Sequence, residues 1–127
     1  FTTGGLPGIG LRMPLLFDAM VSKSRLGPRK FVELTATRPA RLYGLEGKGS
    51  LAPGLDADIV VWDPHRKVRI ADDTARDRTG YTPYQGRTVE GWPVDVLIRG
   101  RTVVAEGKVL AEPGSGRFLP RKTIRRP

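Results

Sequence analysis

The sequence contains no cysteine and a single histidine, His65, among its 127 residues. Without cysteine, the chain can form neither a disulfide framework nor a thiolate metal site. Hydrolytic metal sites need several His, Cys, Asp or Glu ligands that converge on the ion. Because His65 directly follows Trp62-Asp63-Pro64, we expect it in an exposed turn at the end of a strand, and no metal ligand is predicted in this chain.

Long apolar runs are absent as well. None approaches the roughly 18 residues of a membrane span, and the first residues do not show the basic and then apolar pattern of a signal peptide. Neither a membrane nor an export route is predicted, and the lack of cysteine fits a reducing compartment, so we expect a cytoplasmic protein. The chain starts at Phe1 rather than at a methionine, and we expect it to be a piece of a longer protein.

Acidic residues are few: 13 Asp and Glu stand against 22 Lys and Arg, for a formal net charge of +9. The excess is scattered except in the tail, whose basic residues are Arg117, Arg121, Lys122, Arg125 and Arg126. The tail offers only Phe118 for base stacking and no nucleic-acid-binding motif. We expect it to be solvated or to lie on a partner, and nucleic acid is not a predicted partner. An independent basic binding module, with salt-sensitive nucleic-acid binding, is a weaker alternative.

Helical signals occupy residues 1–47. Ile9, Met13, Leu16 and Met20 follow one another at helical spacing, which predicts the apolar stripe of an amphipathic helix. Pro14 suits the first turn of that helix, because its missing N–H would have no partner there in any case.

Two further short helices are predicted. Gly27-Pro28 restarts the chain, and Phe31 and Leu34 lie on one side of the second helix. Thr37 can cap a third helical turn, which Gly44 can end.

From Gly49 the signals change to strands. Residues 59–62 form a short β-branched run that we expect to enter the core, and residues 67–71 alternate like a second strand. Residues 94–105 predict a hairpin around Gly100, with another glycine turn after it. Residues 72–92 form a long connection of the kind that is usually functional or packed against a neighbour.

Asp56 and Asp58 stand one residue apart before the apolar run, as a catalytic or metal-binding pair could. Pro53-Gly54 is a good centre for a type II turn, and Asp56 can accept nearby backbone N–H bonds as an Asx motif. Asp58 then starts the strand. We therefore expect both aspartates to be structural.

Nucleophile and phosphate sites are not predicted. The stretch "GGLPGIG", residues 4–10 and called here the glycine loop, lacks both the lysine and the preceding strand of a phosphate-binding loop. None of the serines lies in a nucleophile-elbow pattern; those considered are Ser22, Ser24, Ser50 and Ser115.

Four stretches carry a family resemblance. "KGSLAPGLDADIVVWDP" (48–64) resembles the segment by which amidohydrolase-superfamily enzymes return from their barrel to a small β domain, and "TRPARLYGL" (37–45) is similar to the helix before it. "YTPYQG" (81–86) and "GSGRFLPR" (114–121) resemble the C-terminal regions of dihydropyrimidinases and hydantoinases. The resemblance covers essentially the whole chain, in order.

The resemblance implies an α/β parent protein, a (β/α)₈ metal-dependent hydrolase barrel with a small β-sandwich domain. This chain would be its C-terminal piece, with short helices followed by a β module. Residues 1–47 would be the last loop and helices of the barrel, and residues 48–111 would belong to the sandwich, with the long connection at 72–92. Residues 112–127 would be a basic tail.

The resemblance also implies hydrolytic ring opening of a cyclic amide. Such enzymes bind two divalent metals, usually zinc, through histidines, a carbamylated lysine and an aspartate, and a metal-bridging hydroxide attacks the ring carbonyl. All of these ligands would lie upstream of Phe1. The chain would then contain no catalytic residue and have no activity alone.

One substrate contact comes with the resemblance. The glycine loop is similar to the loop that these enzymes place beside the substrate ring, where the backbone of an asparagine bonds the imide. Gly4 replaces that asparagine here, followed by Gly5, so the expected substrate-binding residues are Gly4, through its backbone, and Gly5. Gly10 stands where many relatives have a glutamate, and a plain barrel connection is the alternative interpretation of the loop.

The resemblance leaves two other hypotheses for the parent protein. One is a non-catalytic dihydropyrimidinase-related scaffold, and the other is an allantoinase or dihydroorotase type of relative. The expected partners are a small cyclic amide, the remainder of the barrel and further copies in a dimer or tetramer.

Overall fold

The structure is a computed structural model, and it describes residues 5–74 and 79–122. The chain forms two compact units. The first comprises Phe1–Gly27 and Asp63–Trp92, and the second comprises Pro28–Trp62 and Pro93–Pro127. Within the described residues, no helix has the length and apolar character needed to cross a membrane.

The first unit begins with one helical segment, as predicted. It consists of a 3-10 turn (Ile9–Leu11), helix α1 (Arg12–Phe17) and a π-helical turn (Asp18–Ser22). Pro14 lies in the first turn of α1, as expected for a residue without a backbone N–H.

The buried face of this segment is not the predicted one. Leu11, Phe17 and Asp18 are buried, whereas Ile9 is 80% and Leu16 is 36% exposed. The predicted stripe assumed one α-helical period, but the segment starts as a 3-10 turn and ends as a π-helical turn, which shifts its phase. A buried aspartate on that face is also invisible to a hydrophobic pattern.

The core of the first unit is small and apolar. Leu11, Ile70 and Val89 are its buried members. The partly buried side chains packed against them are Leu15, Val68, Tyr84 and Trp92. The start of the helical segment therefore packs, through Leu11, against Ile70 and Val89.

A four-stranded sheet contains β1 (Ile59–Arg69), β2 (Thr88–Ile98), β3 (Arg101–Ala105) and β4 (Lys108–Val109). The strands lie in the order β1-β2-β3-β4. β2 and β3 are antiparallel with a register shift between Val96 and Leu97, and β3 and β4 are antiparallel as well.

The hairpin prediction is confirmed. Arg99 and Gly100 connect β2 and β3 with positive φ at both positions (51° and 76°), and Glu106 and Gly107 do the same between β3 and β4 (48° and 75°). Two positive φ angles match the twist of the flanking strands.

Two predictions about the first strand were wrong. β1 is one strand rather than two, and it continues through Pro64, where the Asp63 carboxylate accepts the N–H groups of His65 (3.0 Å) and Arg66 (3.2 Å). Val60 and Val61 are 44% and 43% exposed instead of lying in the core.

The long connection also ends earlier than predicted. β2 begins at Thr88 rather than after residue 92, and it includes Gly91 and Pro93. Both residue types favour loops in sequence, so the strand signal was masked there.

The second unit contains α2 (Pro28–Val32), a π-helical turn (Glu33–Thr37) and α3 (Arg38–Leu42). The start at Pro28 is confirmed. Thr37 does not cap α3, because its backbone is already helical and its hydroxyl donates instead to the Gly49 carbonyl (2.7 Å).

Gly44 ends α3 as predicted. The Leu45 N–H donates to the Ala40 carbonyl (2.9 Å), and the Gly44 N–H donates to the Arg41 carbonyl (3.1 Å). This pair of bonds is a Schellman motif. In the same unit, the rings of Phe31 and Trp62 pack edge to face with centroids 5.6 Å apart.

A polar clamp holds the first helical segment to β2. The Asp18 carboxylate accepts the Glu90 N–H (3.1 Å), and the Ser22 hydroxyl donates to the Glu90 carbonyl (2.6 Å). Asp18 is 2% exposed, and its second oxygen lies 2.9 Å from Lys23 Nζ and 3.6 Å from an Arg87 nitrogen. Burial acts to raise the pKa of Asp18, but the hydrogen bonds and the two cations together lower it below its ordinary value.

Phe17 lies against β2 beside this clamp. A Cβ added at Gly91 would collide with ring atoms of Phe17, and the φ of Gly91 is 93°. Only glycine fits both the backbone angle and the close approach.

The clamp predicts a pH-dependent loss of stability. Asp18→Ala leaves the Glu90 N–H without its acceptor, so the free energy of unfolding should fall by about 1 to 3 kcal/mol at pH 7. Because the folded-state pKa of Asp18 is lowered, its contribution is complete above the ordinary pKa and is lost as pH falls through the lowered one. Urea denaturation between pH 7 and pH 3 measures this.

Asp73→Ala, at an exposed aspartate of the same unit, is the matched control and should change stability by less than about 0.5 kcal/mol. A difference between wild type and Asp18→Ala that grows toward acid pH would contradict the assignment.

Gly91→Ala should lower the free energy of unfolding by about 2 to 4 kcal/mol, because overpacking against Phe17 adds to backbone strain. Gly114→Ala is the control for strain alone, since Gly114 has a φ of 82° and open space around it; it should cost about 1 to 2 kcal/mol. Thermal unfolding compares the two variants. Equal losses would show that the Phe17 contact does not matter.

Candidate functional site

The glycine loop is the part of the chain that the sequence associates with a substrate. Gly4 lies outside the described residues, so its expected role stays a prediction. Gly5 is exposed, and a side chain built there would meet no atom within 4 Å. Leu6 and Ile9 are 72% and 80% exposed. The described part of the loop therefore offers an accessible backbone flanked by apolar side chains.

The downstream end of the loop is fixed. The Gly8 carbonyl accepts the Leu11 N–H (3.0 Å), and Leu11 is fully buried. A Cβ built on Gly8, whose φ is 142°, would lie 3.2 Å from Cε2 of Tyr84. The aromatic ring thus occupies the space beside the Gly8 backbone.

The Asp56 and Asp58 pair forms a structural cluster with Lys48. Lys48 Nζ lies 2.9 Å from the Asp56 carboxylate and also contacts the Asp58 carboxylate. The second oxygen of Asp58 accepts the Arg99 N–H (2.9 Å). The cluster therefore ties residue 48 and the turn at residue 99 to the start of β1.

The turn before this cluster is confirmed, but one detail was wrong. The Leu55 N–H donates to the Ala52 carbonyl (3.1 Å), and Gly54 has a φ of 85°, as a type II turn requires. The predicted Asx motif at Asp56 is replaced by the ion pair with Lys48, and it is Asp58 that accepts a backbone N–H. The missed signal was Lys48, the cation that both carboxylates reach.

The electrostatics of the cluster favour the charged forms of Asp58 and Lys48. Partial burial acts to raise the pKa of Asp58, but hydrogen bonds from Lys48 and Arg99 outweigh it and the pKa lies below its ordinary value. The hydrogen bond to Asp58 is the main reason that the pKa of Lys48 is raised. A general base or acid for neutral pH needs a pKa near 7. These shifts move both groups away from it.

Other candidate groups have structural contacts. His65 is exposed on β1 rather than in a turn. The hydroxyls of Ser22 and Ser115 donate to backbone carbonyls of Glu90 and Glu112. Across residues 5–74 and 79–122, no three His, Cys, Asp or Glu side chains come together as a metal site would require.

A cleft of about 340 Å³ lies in the second unit at the end of α3. Its cations include Lys48, which contacts the two aspartates, and Lys122, which pairs with Glu46 at 2.7 Å. The Lys122 N–H also donates to the Gly44 carbonyl (3.1 Å). The C-terminal segment at Lys122 therefore packs against the rest of the second unit at this cleft.

A structural role for the aspartates predicts an effect on stability without an effect on turnover. Asp58→Ala should lower the free energy of unfolding by about 0.5 to 1.5 kcal/mol, because the Arg99 N–H loses its acceptor at an exposed site. Asp56→Ala should cost less than about 1 kcal/mol, as expected for a half-exposed ion pair. Urea denaturation, and turnover of the full-length protein measured well below its melting temperature, test this.

The Asp58 contribution should be present at neutral pH and be lost as the pH falls through its lowered pKa; that of Lys48 should be lost as the pH rises through its raised pKa. A large loss of kcat in fully folded Asp56→Ala or Asp58→Ala would restore the catalytic interpretation.

Curated relatives are similar to this chain over nearly all of its length. D-phenylhydantoinase of Escherichia coli O81 (strain ED1a) is 45% identical over 119 residues, which are 93% of this chain and 26% of that protein. The chain therefore spans about a quarter of the length of the curated relatives it matches.

Solved structures give the same result. A D-hydantoinase structure matches with a TM-score of 0.91 at 38% identity, covering 98% of this chain and 27% of the other. Dihydropyrimidinase from Brevibacillus agri matches with a TM-score of 0.85 at 37% identity, covering 91% and 25%. L-Hydantoinase (dihydropyrimidinase) from Arthrobacter aurescens matches with a TM-score of 0.81 at 35% identity, covering 85% and 24%.

The family comparison agrees with these individual matches. The profile described as "Amidohydrolase family" matches residues 11–103, well over half of the chain. The match includes α1, the Asp56 and Asp58 cluster and the turn at Gly100. This chain belongs to the amidohydrolase family.

Proposed function

We propose that this chain is the C-terminal region of a metal-dependent cyclic-amide hydrolase of the hydantoinase and dihydropyrimidinase type. The observation that carries the proposal is the match to D-phenylhydantoinase over 93% of the chain at 45% identity. The TM-score of 0.91 to a D-hydantoinase supports it, because the same residues also take the same fold. The reaction is hydrolytic opening of a ring amide.

The two parts of the chain have different proposed places in the whole protein. Residues 1–47 form the last loop and helices of a barrel, residues 48–111 belong to a small β-sandwich, and residues 112–127 form a basic tail. The exposed β-branched side chains of Val60 and Val61 support this assignment. Side chains of this type in a strand normally pack against a second layer.

The described residues do not fit a metal centre, because no three ligand side chains meet within residues 5–74 and 79–122. The carboxylates of Asp56 and Asp58 already contact Lys48. We therefore place the two divalent ions, zinc in the first instance, on residues upstream of this sequence, and the catalytic groups with them.

The contribution of this chain to substrate binding is backbone hydrogen bonding. An imide presents both N–H and C=O groups in one plane, which backbone groups can pair with. We assign this contact to Gly4 and Gly5. The exposed backbone of Gly5 and its open surroundings support the assignment.

The proposed setting is a cytoplasmic homo-oligomer, a dimer or tetramer, without a nucleic-acid partner. Exposed apolar side chains in the second unit, such as Leu42, Leu51 and Phe118, support association with other protein surface.

The full-length protein should hydrolyse hydantoin, 5-phenylhydantoin or dihydrouracil, and the activity should be lost on chelation and return with zinc. Both enantiomers of 5-phenylhydantoin are needed, because D- and L-hydantoinases are both among the similar structures. Ring opening followed by chromatography, together with metal analysis, is the measurement.

The isolated 127-residue chain should show no turnover and no stoichiometric zinc. Turnover of allantoin or dihydroorotate alone would assign the protein to those neighbouring activities. A full-length protein that binds no metal and opens none of these rings would be a scaffold relative, and the hydrolase proposal would be wrong.

A further inference from the structure

The contact between Tyr84 and Gly8 joins the glycine loop to the connection between β1 and β2. Gly8 is three residues from Gly5, and the ring edge of Tyr84 fills the space where a side chain at Gly8 would be. The ring carbons Cε2 and Cδ2 make this approach, at 3.2 and 3.9 Å from the built Cβ position. The ring carbons of Tyr84, and not its hydroxyl, are therefore the atoms that lie beside Gly8.

Tyr84 is itself firmly supported. Its N–H donates to the Thr82 hydroxyl (3.3 Å), and its carbonyl accepts the Arg87 N–H (3.0 Å). Thr82 is 5% exposed, and its N–H donates to the Asp72 carboxylate (3.0 Å). These bonds hold the Tyr84 backbone within a compact turn.

The turn is tied to the core at Ile70. The Gly86 N–H donates to the Ile70 carbonyl (2.9 Å), and the Ile70 N–H donates to the Arg87 carbonyl (2.8 Å). Ile70 is 1% exposed and belongs to the same cluster as Leu11. The glycine loop is therefore fixed from two directions, by Leu11 along the chain and by Tyr84 across from it.

We propose that Tyr84 is a positioning residue for substrate binding, holding the glycine loop so that the backbone at Gly5 meets the cyclic imide. This inference rests on the proposed function. Glycines have wide backbone freedom, and an unsupported loop would lose part of its binding free energy in becoming ordered on substrate binding. Because the ring of Tyr84 already holds the loop in place, the free-energy cost of ordering the loop on substrate binding is smaller.

Tyr84→Ala in the full-length enzyme should raise KM for hydantoin or dihydrouracil about tenfold and leave kcat within about twofold, because binding is weakened and not the chemical step. Tyr84→Phe should behave like wild type, since it keeps the ring carbons. Tyr81→Ala is the matched control, a half-exposed tyrosine of the same connection. Its kinetics should also be those of wild type.

Amide hydrogen exchange gives a readout that does not require activity. Tyr84→Ala should speed exchange of the Leu11 amide, which donates to the Gly8 carbonyl, about tenfold more than exchange of the Ile70 amide, which donates to the Arg87 carbonyl. A merely structural role of Tyr84 in the core would speed exchange of the Leu11 and Ile70 amides by the same factor.

The two proposals fail in different ways. If wild-type enzyme opens none of the cyclic amides, the proposed function is wrong, and the exchange data still decide whether Tyr84 holds the loop. If wild type is active and Tyr84→Ala matches Tyr81→Ala in KM or in loop exchange, the positioning role is wrong.

Discussion

The first unit depends on one residue of β2, Glu90, whose backbone N–H and carbonyl are both bonded by side chains of a helix. In a strand, both groups of one residue point to the same side and normally pair with a neighbouring strand. Asp18 and Ser22 replace that strand. The adjacent pair, Phe17 against Gly91, packs at the next position of each element, so a polar contact and an apolar contact fix the same crossing.

This arrangement explains why an aspartate occupies the buried face of a short helix. A buried carboxylate is costly unless hydrogen bonds and opposite charges compensate it. The Glu90 N–H, Lys23 and Arg87 supply that compensation. The same segment carries the glycine loop at its start, so the clamp also determines where the loop leaves the core.

The sequence was sufficient where a residue type determines local geometry. The glycine turns at Gly54 and Gly100, the helix start at Pro28 and the helix end at Gly44 follow from backbone preferences, and the structure has all of them. The structural role of the Asp56 and Asp58 pair was likewise foreseeable from the turn before it.

Prediction failed where a distant contact overrides a local preference. Gly91 and Pro93 read as loop residues, but Phe17 needs the space that only a glycine leaves in the strand. Ile9 and Leu16 looked buried because the pattern could not show that Asp18 faces the core. Lys48 and Tyr84 were missed for the same reason, because each lies beside residues that are not its neighbours in the sequence. Lys48 contacts Asp56 and Asp58, and Tyr84 lies beside Gly8.

The exposed side chains beside Gly5 have a consequence for how the surface of the glycine loop can change over time. Every residue other than proline presents the same backbone N–H and C=O groups, so a loop that keeps its path keeps these groups when neighbouring side chains are substituted. Leu6 and Ile9 project outward from that path. Substitutions at these two positions can therefore change the apolar surface beside the Gly5 backbone without changing the backbone groups that the loop presents.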